Sequence, residues 1–204
     1  ESSIDIQRKL GPDFIVVLDE CTPFHVDRDY TARSLELTHR WADRSLAEFE
    51  RGADGRQALY GILQGGVYED LRREAAEFIQ SRPFFGYAIG GCLGANGEQM
   101  LEVVGYAMQH LDSERPVHLL GIGGVRDIWT AVALGIDTFD CVAPTRIARH
   151  GWALARGAVA KNRLNLKNAR FRDDQEPLES ECNCHACSRF SRAFLYHLFK
   201  AGEI

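Results

Sequence analysis

Residues 58–91 read ALYGILQGGVYEDLRREAAEFIQSRPFFGYAIGG, and their pattern decides the fold. An unbroken apolar run, 58–63, ends in Gln64-Gly65-Gly66; a segment of helical period follows over 67–80; a second run, 84–89, ends in Gly90-Gly91. Short continuous apolar runs bounded by glycine are what strands buried on both faces require. Strand, amphipathic helix and strand, with no hairpin signal between them, make a right-handed βαβ unit with parallel strands.

The same pattern extends on both sides. Apolar runs recur at 14–18, 117–122 and 138–142, and helical periods at 27–49, 98–111 and 125–134. Every run finishes in a polar or glycine-rich stretch: Asp19-Glu20, Gln64-Gly65-Gly66, Gly90-Gly91, Gly121 to Gly124, and Asp140. Barrel enzymes build their sites from the C-terminal ends of several strands, where these residues fall. A dinucleotide-binding sheet would instead concentrate its glycines after one early strand as GxGxxG, a spacing that Gly121-Ile122-Gly123-Gly124 lacks. The expected fold is α/β, a partial (β/α)8 TIM-like barrel over residues 1–144. Five runs do not close eight strands, so either the sheet is open or three units lie outside this chain. Residues 145–204 hold a basic segment, a cysteine cluster and an amphipathic helix expected over 188–201, with Gly202 as its stop.

Composition excludes several classes. With 204 residues, 45% hydrophobic and 26% charged, neither disorder nor a fibrous repeat is expected. No stretch approaches the roughly 20 apolar residues of a membrane span. The opening Glu1-Ser2-Ser3 has no initiator Met and no secretory leader pattern, so the chain reads as cut from something longer. A formal charge of −5 argues against a uniformly basic nucleic-acid binder. Yet eight basic residues (Arg146, Arg149, Arg156, Lys161, Arg163, Lys167, Arg170 and Arg172) lie between Thr145 and Arg172 with no acid among them. That is the footprint of a local polyanion contact; a solvated charged face is the plainer alternative. Among six cysteines, Cys21, Cys92 and Cys141 stand alone, whereas Cys182, Cys184 and Cys187 crowd together. Thiols that close suit a metal better than bridges, and the chain reads as cytosolic.

Three constellations carry chemistry. Cys182-Asn183-Cys184-His185-Ala186-Cys187 is a CxCxxC, which suits Zn2+. A tetrahedral site needs a fourth ligand; His197 and, less well placed inside the loop, His185 are the local candidates. Asp140 and Asp19 end separate runs over one expected cavity. They suit general acid/base or glycosidic chemistry, or else cap βα loops; Asp137, before its run, reads as a turn residue. Gln64-Gly65-Gly66 and Gly90-Gly91 bring an amide and bare peptide N–H groups beside a carboxylate. That set can read a purine edge, with close packing as the alternative.

Taken together, LDECTP (18–23), YGILQGGVYEDLR (60–72), GYAIGG (86–91), GIDTFDCVAPTR (135–146), NLKNARF (165–171) and the CxCxxC followed by SRAFLYHLFKAGEI resemble the tRNA-guanine transglycosylase (queuine tRNA-ribosyltransferase) family over nearly the whole chain. The resemblance implies a barrel with a zinc-binding insertion. The implied reaction replaces guanine at the wobble position of tRNA by a 7-deazaguanine. It implies Asp140 as the nucleophile on ribose C1′ and Asp19 as the reader of the base's N–H edge. Gln64 and the Gly91 amide would contact the base carbonyl, and Leu120 would pack under the base. Arg146 and Arg149 would lie near tRNA, and Cys182, Cys184 and Cys187 would be three zinc ligands.

The chain also departs from the family pattern. A further Asp and an aromatic lid expected upstream are not in it, and the fourth zinc ligand, a His, is expected beyond Ile204. These residues alone are therefore expected to be inactive, with a loose zinc site. Gly94 stands where relatives using the aminomethyl base carry Val, an expectation of room for queuine. The resemblance further implies a cytoplasmic homodimer. A non-catalytic tRNA-binding partner subunit, or an enzyme exchanging the base in DNA, are the alternative functions.

Overall fold

The computed structural model describes residues 1–157 and 162–203, so Lys161 of the basic segment and the terminal Ile204 lie outside the described residues. The chain divides into two compact units, Glu1–Cys141 and Val142–Ile204. Among the described residues no helix is long and apolar enough to cross a membrane.

The first unit is built on β1 (Phe14–Val16), β2 (Ala58–Leu63), β3 (Gly86–Ile89), β4 (Val117–Leu119) and β5 (Thr138–Phe139). They form one sheet in chain order, each neighbouring pair parallel. A doubly wound sheet reverses its strand order partway across. This sheet does not, so it is an arc of a TIM-like barrel, as the strand ends predict. Helices α2 (Arg28–Arg51), α3 (Glu69–Gln80), α4 (Gly97–His110) and α5 (Val125–Ala133) return the chain between strands. Two begin at side-chain caps: Asp27 accepts from the Tyr30 amide at 2.8 Å and Asn96 from the Gln99 amide at 3.0 Å. On the helix side of the sheet, Leu59, Leu63, Tyr87, Ile89 and Leu119 are at most 2% exposed. They share one core with Ala75, Ile79, Val103, Val104 and Ala107 of α3 and α4.

Two local differences from expectation have physical causes. The strands stop short of their apolar runs (β1 at Val16, β4 at Leu119, β5 at Phe139), because the residues beyond turn into loops at the C-terminal face. The residues before Phe14 form a helix, α1 (Ser2–Leu10), that no apolar period announces, since Ile4 is its one buried residue. Its Gln7 amide replaces a neighbouring strand at the sheet edge. Nε2 donates to the Val16 carbonyl and Oε1 accepts from the Val16 amide, both at 2.9 Å.

The second unit holds α6 (Ala143–Arg149), an antiparallel hairpin of β6 (Trp152–Leu154) and β7 (Arg163–Asn165), and two helices, α7 (His185–Arg189) and α8 (Arg192–Ala201). Its small core is Ala155, Leu164, Leu166, Phe171 and Tyr196. The expected single terminal helix is broken. Phe190 is extended, and the Ser191 hydroxyl starts α8 afresh by accepting from the Phe194 amide at 3.2 Å. Gly202, at φ 75°, stops α8 where expected.

Candidate functional site

Strand register assembles the site. Ile62, Ala88, His118 and Thr138 are successive partners across β2, β3, β4 and β5. Just past the strand ends come Gln64, Gly90, Leu120 and Asp140: the Gly90 amide donates to the Leu63 carbonyl at 3.1 Å and the Leu120 amide to the Ile89 carbonyl at 3.0 Å, and a Cβ built at Gly90 would lie 3.1 Å from Leu120 Cδ1 and 3.2 Å from Gln64 Nε2. Below them, Val16, Tyr60, Ala88, His118 and Thr138 help line a pocket of about 340 Å³.

At one end of that group stands Asp140. Its Oδ1 accepts from the Gly121 amide at 2.8 Å and lies 3.2 Å from His118 Nε2. The other ring nitrogen of His118 lies 2.8 Å from Thr138 Oγ1, so the imidazole is held between Thr138 and Asp140. About half of the Asp140 side chain stays exposed, which leaves the carboxylate open to a reacting partner. Asp137 is structural: Oδ2 accepts from the Val117 amide at 2.7 Å and locks the start of β4.

Asp19 and Gln64 form the other end. Gln64 is 2% exposed and donates from Nε2 to Asp19 Oδ2 at 2.5 Å. Burial pushes the Asp19 carboxyl above the usual carboxylate range, opposed by the Gln64 hydrogen bond. Among the described residues Gln64 Oε1 has no partner. It faces Gly91, where a Cβ would lie only 2.0 Å from it and where φ is 81°. Only glycine fits there. Leu120 borders the same point, its Cδ1 3.1 Å from a Cβ built at Gly90. Asp19, Gln64, Gly91, Leu120 and Asp140 thus gather at the strand ends. Gly94, at φ 112°, belongs to the loop after β3, and the space its side chain would take is filled by Gln99, 2.7 Å from a built Cβ.

Sequence reasoning passed over two residues here. His118 carried a signal, a polar side chain alternating with the buried Val117 and Leu119. Arg72 carried another, three, four and seven residues before the buried Ala75, Ala76 and Ile79 of α3. It is fully buried and spends its donors on main-chain oxygens. Nε donates to Gly66 at 2.8 Å, Nη1 to Leu63 and Gly90 at 2.9 Å each, and Nη2 to Cys92 at 3.1 Å. Burial pulls its pKa down to about 10, against the Cys92 and Cys21 thiols.

In the second unit, Arg146 and Arg149 lie on α6 and are exposed, as are Arg156, Arg163, Lys167, Arg170 and Arg172. The sulfurs of Cys182, Cys184 and Cys187 all lie within 4.8 Å of one another. Tetrahedral Zn–S bonds of about 2.3 Å put sulfurs about 3.8 Å apart, a spacing that a group of this size accommodates. Hydrogen bonds from the Cys187 amide and the neighbouring thiols lower the Cys184 thiol to about 7, favouring the thiolate a metal needs. Burial raises Cys187 to about 11. Neither His185 nor His197 joins the group among the described residues, and His185 packs edge-on to Phe190.

A parallel βα arc with an acid, an amide and a glycine pair just past its strand ends, and a three-thiol cluster in its second unit, define a partial TIM-like barrel protein with a candidate metal site. The family model described as Queuine tRNA-ribosyltransferase matches residues 1–204. The chain belongs to that family. It is 49% identical to a queuine tRNA-ribosyltransferase of Roseiflexus sp. (strain RS-1), covering all of this chain and 53% of that protein. It is 45% identical to a putative queuine tRNA-ribosyltransferase of Archaeoglobus fulgidus and 46% to a queuine tRNA-ribosyltransferase of Synechococcus elongatus, again over the whole chain and 51% and 52% of those proteins. The chain spans about half the length of the curated relatives it matches.

Proposed function

We propose that this chain carries the base pocket and nucleophile of a tRNA-guanine transglycosylase, a transferase that exchanges guanine at the wobble position for a 7-deazaguanine. An Asp140 carboxylate oxygen attacks ribose C1′ as the C1′–N9 bond breaks, and guanine leaves with the bonding pair and takes up a proton at N9. The incoming base enters the same pocket, loses its N9 proton and attacks C1′, displacing Asp140. Protons and bonds balance, and the glycosyl ester conserves the bond energy, so no nucleotide is spent.

The Gly121 amide holds one Asp140 oxygen and leaves the other for attack. Asp19 accepts from the base's N–H edge, Gln64 and the Gly91 amide donate to its carbonyl oxygen, and Leu120 packs beneath it; Gly94 and Gln99 border the substituent of the deazapurine. Arg146 and Arg149 contact tRNA. Cys182, Cys184 and Cys187 would hold a structural Zn2+, which would fix the loop they bracket. A cytoplasmic location and a homodimer belong to the same proposal, as does a boundary near residue 144 between barrel and tRNA-facing parts.

The observation that carries the reading is the cluster just past the strand ends, where Gln64 and Leu120 flank Gly90, the Gly121 amide holds Asp140, and Asp19 is bonded to Gln64. The test is exchange of labelled guanine into tRNA by the longest form of the protein its gene encodes. Incorporation abolished by Asp140→Asn is expected. Incorporation into a duplex DNA but not tRNA, or none with intact tRNA binding, would replace the proposal with one of its alternatives.

A further inference from the structure

Arg72 presents an energetic puzzle. A buried guanidinium costs several kcal/mol unless it is compensated, and among the described residues the hydrogen bonds of Arg72 go to main-chain carbonyls rather than to a carboxylate. Its four hydrogen bonds, however, are placed with a pattern. The carbonyls of Leu63 and Gly66 flank Gln64, and those of Gly90 and Cys92 flank Gly91. One side chain therefore pins the backbone on both sides of both groups assigned to the base carbonyl.

The bond to Gly90 does more than hold position. The Gly90 carbonyl and the Gly91 N–H are two ends of one planar, conjugated peptide group. A charged donor on the oxygen draws electron density from the nitrogen and strengthens the N–H as a donor, as in any hydrogen-bond chain in a low-dielectric interior. We propose that Arg72 is a positioning residue for base recognition, its guanidinium fixing and polarising the Gly90–Gly91 peptide so that the Gly91 N–H becomes a strengthened donor to the carbonyl oxygen of a purine-type base. The inference rests on the proposed base pocket. It adds a residue that touches no substrate, and it explains why a cation rather than an apolar side chain fills that place in the core.

The test compares two free bases, guanine and 2-aminopurine, which lacks the carbonyl oxygen and the N1–H but keeps the amino group, by calorimetric titration of the longest form of the protein its gene encodes. The variants are Arg72→Met, which removes the donors, and Arg72→Lys, which keeps the charge at one donor point. Guanine affinity is expected to fall about tenfold or more in Arg72→Met, tenfold being about 1.4 kcal/mol, and by less in Arg72→Lys. The affinity of 2-aminopurine should change by less than about twofold in both, because the strengthened N–H has no oxygen to meet. Equal weakening of both bases would reduce Arg72 to a fold-keeping residue and overturn the inference, and so would unchanged guanine binding. Should Arg72→Met fail to fold, Arg72→Lys carries the comparison. Independently of any variant, a wild-type protein that binds the two bases equally well contradicts the inference. Binding of neither base would remove the pocket reading itself.

Discussion

Replacing Gly91 by alanine adds one methyl group where the structure has least room for it. The new Cβ would sit 2.0 Å from Gln64 Oε1, and an ordinary C···O contact is about 3.3 Å. Gln64 would have to retreat by roughly 1.3 Å to restore that contact, and its 2.5 Å bond to Asp19 would break with the move. The backbone adds strain, because φ at Gly91 is 81°; a left-handed conformation costs a residue with a Cβ about 1–2 kcal/mol. Gly55 supplies the control: its φ is 78° with nothing within 4 Å of a built Cβ. Gly55→Ala should therefore lose about 1 kcal/mol in urea unfolding, from backbone strain alone, partly offset by the stiffer unfolded chain. Gly91→Ala should lose that and a further ~1–3 kcal/mol of overpacking. In labelled-guanine exchange, kcat/KM should fall about a hundredfold in Gly91→Ala, the scale of an ångström misplacement of a positioning group, and stay at wild type in Gly55→Ala. A Gly91→Ala protein with wild-type exchange, or two variants equally impaired, would refute the pocket geometry.

Three other outcomes follow from the same contacts. His118→Phe keeps the ring shape but gives up the hydrogen bonds of the imidazole to Thr138 and Asp140, so kcat for guanine exchange should drop about tenfold, worth about 1.4 kcal/mol, with His118→Gln closer to wild type; equal kcat in all three proteins would deny the imidazole its role. Burial raises the Asp19 carboxyl, so its contribution to stability is fully present below the unfolded-state value and lost as pH rises through the folded one. Asp19→Asn should accordingly melt higher than wild type at neutral pH and match it in acid, while losing guanine binding; a gain that persists in acid would contradict this. Cys184→Ser should strip bound zinc, measured by elemental mass spectrometry, and lower the melting temperature of the second unit; full zinc stoichiometry in that variant would remove Cys184 from the ligand set.

The fold was legible because apolar runs and helical periods alternate at the spacing of βα units, and burial on both faces leaves strands such as Ala58–Leu63 no polar positions to confuse the pattern. The placement of Asp19, Gln64, Gly91 and Asp140 just past the strands was legible for a related reason: the C-terminal face begins where an apolar run stops. Other contacts were invisible for want of a local cue. Gln7 completes the edge of β1 across nine residues of sequence, and a helix that buries only Ile4 writes no period. Arg72 joins carbonyls up to 20 residues away, and only its place on an apolar face hinted that it would turn inward. The room inferred at Gly94 depended on a side chain, Gln99, whose direction no spacing reveals.

Everything in the proposed reaction turns on a bond between Asp140 and the sugar. The direct measurement is to incubate the longest encoded form of the protein with a tRNA that carries guanine at the wobble position, in the absence of an incoming base, denature it, and map any RNA-linked peptide by mass spectrometry. The account predicts an adduct on Asp140 that disappears in Asp140→Asn and when guanine is added back. Steady exchange with no such adduct, or an adduct on another residue, would contradict it.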